Sequence, residues 1–191
     1  MESQPRLRAA ILGSTGAVGQ KFVARLAAHP WFEIAALCAS ERSRGKPYGE
    51  AVRWLESAPL PPEIAAMTVR DAEPEGLDDS GDPKADVVFS ALDAASAERL
   101  EPRFVEAGFA VFSNASAHRL SPGVPLLVPE VNADHLRLVE ERRPGRGFLV
   151  ANPNCSTTGL VCALAPLVAA FGVEAVAVTT LQAVSGAGIP G

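Results

Sequence analysis

Cys155 stands in the stretch FLVANPNCSTTGL, residues 148–160, behind an apolar run and a proline and ahead of a segment with helical spacing. A cysteine so placed has two readings. It is a nucleophile, or it is a small buried residue, the commoner fate of a free thiol. Its neighbours favour chemistry. Asn152-Pro153 biases the backbone towards extended geometry, and Asn154 suits an N-cap. Cys155 then falls in the first helical turn. Unpaired N–H groups and the positive end of the macrodipole make such a turn a setting in which thiols become reactive. Ser156, Thr157 and Thr158 add hydroxyls, and Gly159 permits close approach. Cys38 and Cys162 lie inside apolar runs and read as core. The three cysteines show no close metal-ligand spacing, so no metal site is expected.

A second constellation is GSTGAVGQ. Gly13, Ser14, Thr15, Gly16, Ala17 and Val18, with Gly19, make a G-x-x-G-x-x-G turn between an apolar run and a helical pattern. Glycines let a backbone pass beneath a pyrophosphate, and the helix start offers N–H donors to it. The spacing alone also suits a plain strand-to-helix turn. Its place inside a strand-helix-strand unit favours a dinucleotide. The second strand ends in CASERSRGK, where Ser40, Arg42, Ser43, Arg44 and Lys46 surround a candidate phosphate site. Basic residues here favour NADP over NAD; Glu41 points the other way, and a solvated basic loop is the alternative. Ser90 and Ala91 end a later strand and are candidates for the same crevice.

The elements that must hold these residues alternate. Residues 7–12, 32–39, 86–91, 109–112 and 148–151 read as short buried strands; 18–28, 94–107, 132–140 and 156–171 read as helices. Pro166 inside the last predicts a kink or a restart. Residues 64–69 and 126–128 read as further strands, 41–62 as a long polar loop, and 71–84 as an acidic, turn-dense loop. Residues 173–183 read as a long strand. The expected fold is α/β: a Rossmann-like, doubly wound parallel sheet over 1–154, then the start of a second, α+β catalytic and dimerisation domain over 155–191. A long strand with no partner after it suggests that the sequence is part of a longer chain.

Bulk properties narrow the function. The 191 residues are 48% hydrophobic, with a net charge of -5 and three cysteines. No basic footprint points to nucleic acid. No apolar stretch approaches the roughly 20 residues of a membrane span. An odd number of cysteines suits a reducing compartment, and a cytoplasmic location is expected.

Together GSTGAVGQ, CASERSRGK, SNASAHR, VPEVN, NPNCSTTG and LQAVSGAGIPG resemble aspartate-β-semialdehyde dehydrogenases of the branch shared by archaea, fungi and some bacteria. The resemblance spans nearly the whole chain. It implies NADPH-dependent reductive dephosphorylation of L-4-aspartyl phosphate, on the route to lysine, threonine and methionine. Cys155 would be the acyl-accepting nucleophile, Asn154 would position the acyl group, and Gln182 would be the active-site glutamine. Arg119 would hold the phosphate. Ser185, Gly186, Ala187 and Gly188 would line the nicotinamide side. The full-length form would be a homodimer or homotetramer acting on a small molecule. The family's base is a histidine downstream of the cysteine, whereas His29, His118 and His135 all precede Cys155. The 191 residues alone are therefore expected to bind NADP and turn over poorly. The related N-acetylglutamyl-phosphate reductase, and a non-catalytic NADP-binding fragment, are the alternatives.

Overall fold

A computed structural model describes residues 5–77, 84–140 and 146–181. The chain opens with strand β1 (Leu7–Leu12), helix α1 (Ala17–Leu26) and strand β2 (Phe32–Ala39). Two single-turn helices follow, α2 (Tyr48–Ala51) and α3 (Pro62–Ala65), then the short strand β3 (Arg70–Asp71). Strand β4 (Val87–Ser90), helix α4 (Ala94–Glu106) and strand β5 (Ala110–Ser113) come next. Helix α5 (Pro129–Asn132), a 3-10 turn (Ala133–Leu136) and helix α6 (Arg137–Glu140) precede strand β6 (Phe148–Ala151) and helix α7 (Cys155–Phe171).

The six strands form one sheet in the order β3-β2-β1-β4-β5-β6, and every paired neighbour is parallel. Strand side chains alternate between faces, so β1 feeds two cores. Ala10 and Leu12 pack with Phe104 of α4, Val88 and Val111. Ala9 and Ile11 pack with Val23 and Leu26 of α1 and with Tyr48. Burial on both faces explains why these strands read as unbroken apolar runs. The order reverses direction between β1 and β4. That switch point opens a crevice at the carboxyl ends of the strands, where such sheets take their ligands.

Several expectations are corrected. Residues 64–69 form no edge strand: Pro61 and Pro62 start α3, since proline is preorganised for a first helical turn. What remains is a Pro47–Thr68 bridge and the two residues of β3. Within the expected strand 126–128, Leu126 makes a single bridge, to Ala151. The described part of the expected strand 173–183, residues 173–181, carries no ladder; a strand exists only by pairing, and among the described residues it has no pair. Helix α7 runs unbroken through Pro166 rather than restarting; the lost bond to the Cys162 carbonyl is spanned by its neighbours. Cys162 is exposed, not core, because no α7 residue is buried among the described residues. The 41–62 loop is not wholly polar filler: Tyr48 is fully buried, and its hydroxyl donates to the Ser14 carbonyl at 2.8 Å. No helix among the described residues is long and apolar enough to cross a membrane.

Candidate active site

The glycine turn sits at the carboxyl end of β1. Gly13 has φ +73°, a left-handed conformation that favours glycine. A Cβ there would lie 2.6 Å from the Ala91 carbonyl oxygen, so β1 and β4 close together at this point only without a side chain. Gly19, in the first turn of α1, packs against the same loop; its Cβ would stand 2.1 Å from the Gly13 carbonyl oxygen. Gly16 is the N-cap of α1 and makes no side-chain cap, which leaves the first N–H groups of the helix facing the crevice. Behind the turn, Gln20 is fully buried and braces it twice. Its Nε2 donates to the Thr15 carbonyl at 3.0 Å, and its Oε1 accepts from the Leu55 N–H at 2.7 Å.

A cleft of about 680 Å³ opens over this turn. Gly13, Thr15, Gly16, Ser40, Arg42 and Ala91 line it, as the sequence predicts. Other members of the predicted set face elsewhere. Ser14 is fully buried, and its hydroxyl donates to the Cys38 carbonyl at 3.1 Å, tying β1 to β2. Ala17 and Val18 form the first turn of α1 beside the cleft rather than lining it. Ser43 and Lys46 lie off the lining, in a turn where the Ser43 N–H donates to the Ser40 carbonyl. Ser90 is buried at the end of β4, one residue short of the cleft.

The wall facing the second strand is of mixed charge. Asp71 is engaged by Arg44 at 2.7 Å, and Glu73 by Arg103 at 2.5 Å. Those pairs engage the two carboxylates, and Arg42 and Arg99 line the cleft as cations alongside the carboxylates of Glu41 and Asp93. Arg99, Asp93 and Ser96, all from the start and first half of α4, are lining residues that the sequence pattern does not single out. The only local sign is Asp93, three residues ahead of Ser96 as an N-cap residue should be. The Asp93 carboxylate accepts from the Ser96 N–H at 3.0 Å. That backbone N–H, then the Ser96 hydroxyl, holds the carboxyl below its ordinary range.

The cysteine turn lies farther along the same sheet edge. From β1 to β6 is three strand spacings, about 14 Å. Asn154 caps α7 as predicted: its Oδ1 accepts from the Ser156 N–H at 3.0 Å and the Ser156 hydroxyl at 2.7 Å. Cys155 is the first helical residue and is exposed. Arg119 comes from the loop after β5 and is drawn to this turn. Its Nε donates to the Asn152 carbonyl at 2.8 Å and its terminal nitrogen to the Asn114 carbonyl at 3.1 Å. Asn152 also donates from its side chain to the Asn114 side-chain oxygen. Two of the five guanidinium N–H groups are thus used in holding the fork beside residues 152–155. Cys38 is set apart: burial pushes its thiol up to about 12, which keeps it unreactive. Gln182 and Ser185, Gly186, Ala187 and Gly188 lie outside the described residues.

A glycine-floored crevice at a topological switch point, with a helix start aimed into it, defines a class: dinucleotide-binding α/β proteins, here with an exposed cysteine on the same sheet edge. The model of the semialdehyde dehydrogenase NAD-binding domain matches residues 8–139, and the chain belongs to that family. The archaeal and fungal resemblance is borne out. Aspartate-semialdehyde dehydrogenase of Archaeoglobus fulgidus is 48% identical over 97% of this chain and 53% of its own length. That of Trichophyton rubrum is 45% identical over 100% of the chain and 53% of its own. The chain spans about half the length of the curated relatives it matches. The solved Candida albicans enzyme with NADP superposes with a TM-score of 0.81 at 45% identity, over 87% of this chain and 48% of that one. Aspartate semialdehyde dehydrogenase II of Vibrio cholerae, complexed with ASA, gives 0.74 at 32% identity over 98% and 49%.

Proposed function

We propose that this chain is the NADP-binding portion of an aspartate-semialdehyde dehydrogenase and carries its acyl-accepting cysteine. The observation that supports this most is the pairing of Arg119 with Asn152, three residues before Cys155. It brings an anion-binding fork to a thiol at a helix start, on the sheet edge that also holds the glycine cleft. An acyl phosphate needs both groups side by side.

The cofactor fits the residues present. Gly13 and Gly16 floor the cleft; the α1 start would take the pyrophosphate, and Ser40 and Arg42 would hold the 2′-phosphate. In the proposed reaction the Cys155 sulfur attacks the acyl carbon of 4-aspartyl phosphate. A C–S bond forms, the acyl C–O bond breaks, and inorganic phosphate leaves. Arg119 binds that phosphate, and the fork geometry suits its oxygens. Asn154 orients the acyl group from its cap position; by resemblance, Gln182 would be the active-site glutamine. The chemistry that NADPH supplies when bound is a hydride for the thioester carbonyl; the C–S bond then breaks and the aldehyde is freed. Splitting the reaction at the thioester is the usual gain of covalent catalysis. By resemblance, Ser185, Gly186, Ala187 and Gly188 would serve the nicotinamide side. We assign residues 1–154 to the cofactor domain and 155–191 to the beginning of the catalytic and dimerisation domain, in a homodimer or homotetramer of the full-length form.

Incubation with 4-aspartyl phosphate tests the chemistry. The expected product is a hydroxylamine-sensitive adduct on Cys155, seen by peptide mass spectrometry and absent from Cys155→Ala. An adduct that persists in Cys155→Ala, or none on the wild-type chain, rejects the assignment.

A further inference from the structure

Glu101 is a charged residue with no place in the chemistry above, yet it is fully buried in α4. A buried carboxylate is retained only where its neighbours compensate it. Its partners all belong to the segment that carries Arg119. Oε1 accepts from the Ser113 hydroxyl at 2.6 Å. The Ser113 hydroxyl oxygen in turn accepts from the Ala115 N–H at 3.1 Å. Oε2 has no hydrogen-bond partner, and the His118 Nε2 stands 3.8 Å away. That same nitrogen lies 3.3 Å from the Ala97 carbonyl. A carbonyl only accepts, so Nε2 carries a proton, and His118 presents its N–H between Ala97 and Glu101. One carboxylate thus holds Ser113 by a hydrogen bond and faces the His118 N–H from 3.8 Å, an electrostatic contact rather than a hydrogen bond. Other bonds of residues 113–119 run to the site: the Asn114 N–H donates to the Ser90 carbonyl, and the Ser113 carbonyl accepts from the Asn152 N–H at 2.8 Å.

We propose that Glu101 is the positioning residue of the anion site: through Ser113 and His118 it holds the 113–119 loop so that Arg119 stays forked against the cysteine turn. The inference rests on the reading of Arg119 as the phosphate-holding residue. Glu101 touches no substrate. It sets where the guanidinium stands before a phosphate arrives, which is how a buried support raises affinity at an exposed group.

Glu101→Gln is the informative substitution. The amide oxygen can still accept from Ser113. The amide NH2 then faces the His118 N–H, donor against donor, and the histidine arm is lost. Ser113→Ala removes the other arm and leaves the carboxylate. Both are read by nitrogen-15 NMR on the full 191-residue chain, at the Arg119 Nε–H and the His118 ring, and by titration with inorganic phosphate. In each variant the Arg119 Nε–H is expected to exchange faster with water. Phosphate affinity is expected to fall about tenfold, the worth of one well-placed charged hydrogen bond. In Glu101→Gln the His118 ring resonances should shift as the facing carboxylate is lost, with the proton still held on Nε2 by the Ala97 carbonyl. Unchanged Arg119 exchange and unchanged phosphate affinity in a folded variant, whatever its melting temperature, overturn the proposal. A wild-type chain that binds no phosphate, with Arg119 still loosened by Glu101→Gln, rejects the phosphate role of Arg119 and upholds the positioning role of Glu101.

Discussion

Replacing glycines by alanine at three positions separates two physical reasons for glycine in this fold. Gly45 has φ +76° and nothing within 4 Å of where a Cβ would stand, so Gly45→Ala meets only the left-handed backbone cost, about 1–2 kcal/mol. Gly19 has no positive φ, but its Cβ would stand 2.1 Å from the Gly13 carbonyl oxygen. That oxygen is backbone, so α1 and the turn must part by about 1 Å, an overpacking cost of up to about 3 kcal/mol. Alanine's better helix propensity offsets about 1 kcal/mol, leaving a net loss near 2 kcal/mol. Gly13 carries both terms, φ +73° and a 2.6 Å approach to the Ala91 oxygen. Gly13→Ala should therefore cost about 3–5 kcal/mol, close to the sum of the other two before the helix gain. Urea unfolding followed by tryptophan fluorescence gives each value, with equal slopes required for the comparison. A Gly13→Ala variant no less stable than Gly45→Ala would refute the claim that the β1–β4 closure requires a bare backbone.

Iodoacetamide applied to the native chain at pH 8 should label Cys155 and Cys162 and leave Cys38 untouched, because burial holds Cys38 at about 12. Peptide mass spectrometry checks it, and early labelling of Cys38 without unfolding would contradict it. The Asp93 carboxyl titrates lower in the folded chain than in the unfolded one, so its contribution is present above the unfolded value and is lost as pH falls through the folded value. The stability gap between wild type and Asp93→Ala should thus be level from neutral pH to about pH 5 and close below about pH 4, as acid unfolding curves at stepped pH would show.

The fold is legible in the sequence where burial on both faces leaves nothing but apolar residues. Residues 7–12 and 32–39 are readable for that reason, and their bounds agree with β1 and β2. Residues 64–69 are not, because their composition suits a strand while Pro61 and Pro62 decide the local backbone. The expectation of a strand over 173–183 rests on alternation, and alternation reports a face, not a partner. At the site, Asn154 and the glycine turn declare themselves through local chemistry alone. Arg119 is reached only through resemblance, since its bonds to Asn152 and Asn114 join parts of the chain that pattern does not connect. Glu101 is invisible to pattern: a glutamate in an amphipathic helix reads as surface, and only the packing of α4 on the sheet shows it buried.

Titration of the 191-residue chain with NADPH and NADH, read by nicotinamide fluorescence, tests the central assignment most directly. Saturable binding is expected, with NADPH favoured by about tenfold or more, the worth of one or two charged contacts to the 2′-phosphate. Arg42→Ala should erase most of that preference while leaving NADH affinity nearly unchanged. No saturable binding of either nucleotide, or equal binding of both that Arg42→Ala does not alter, would contradict the assignment of this cleft to NADP.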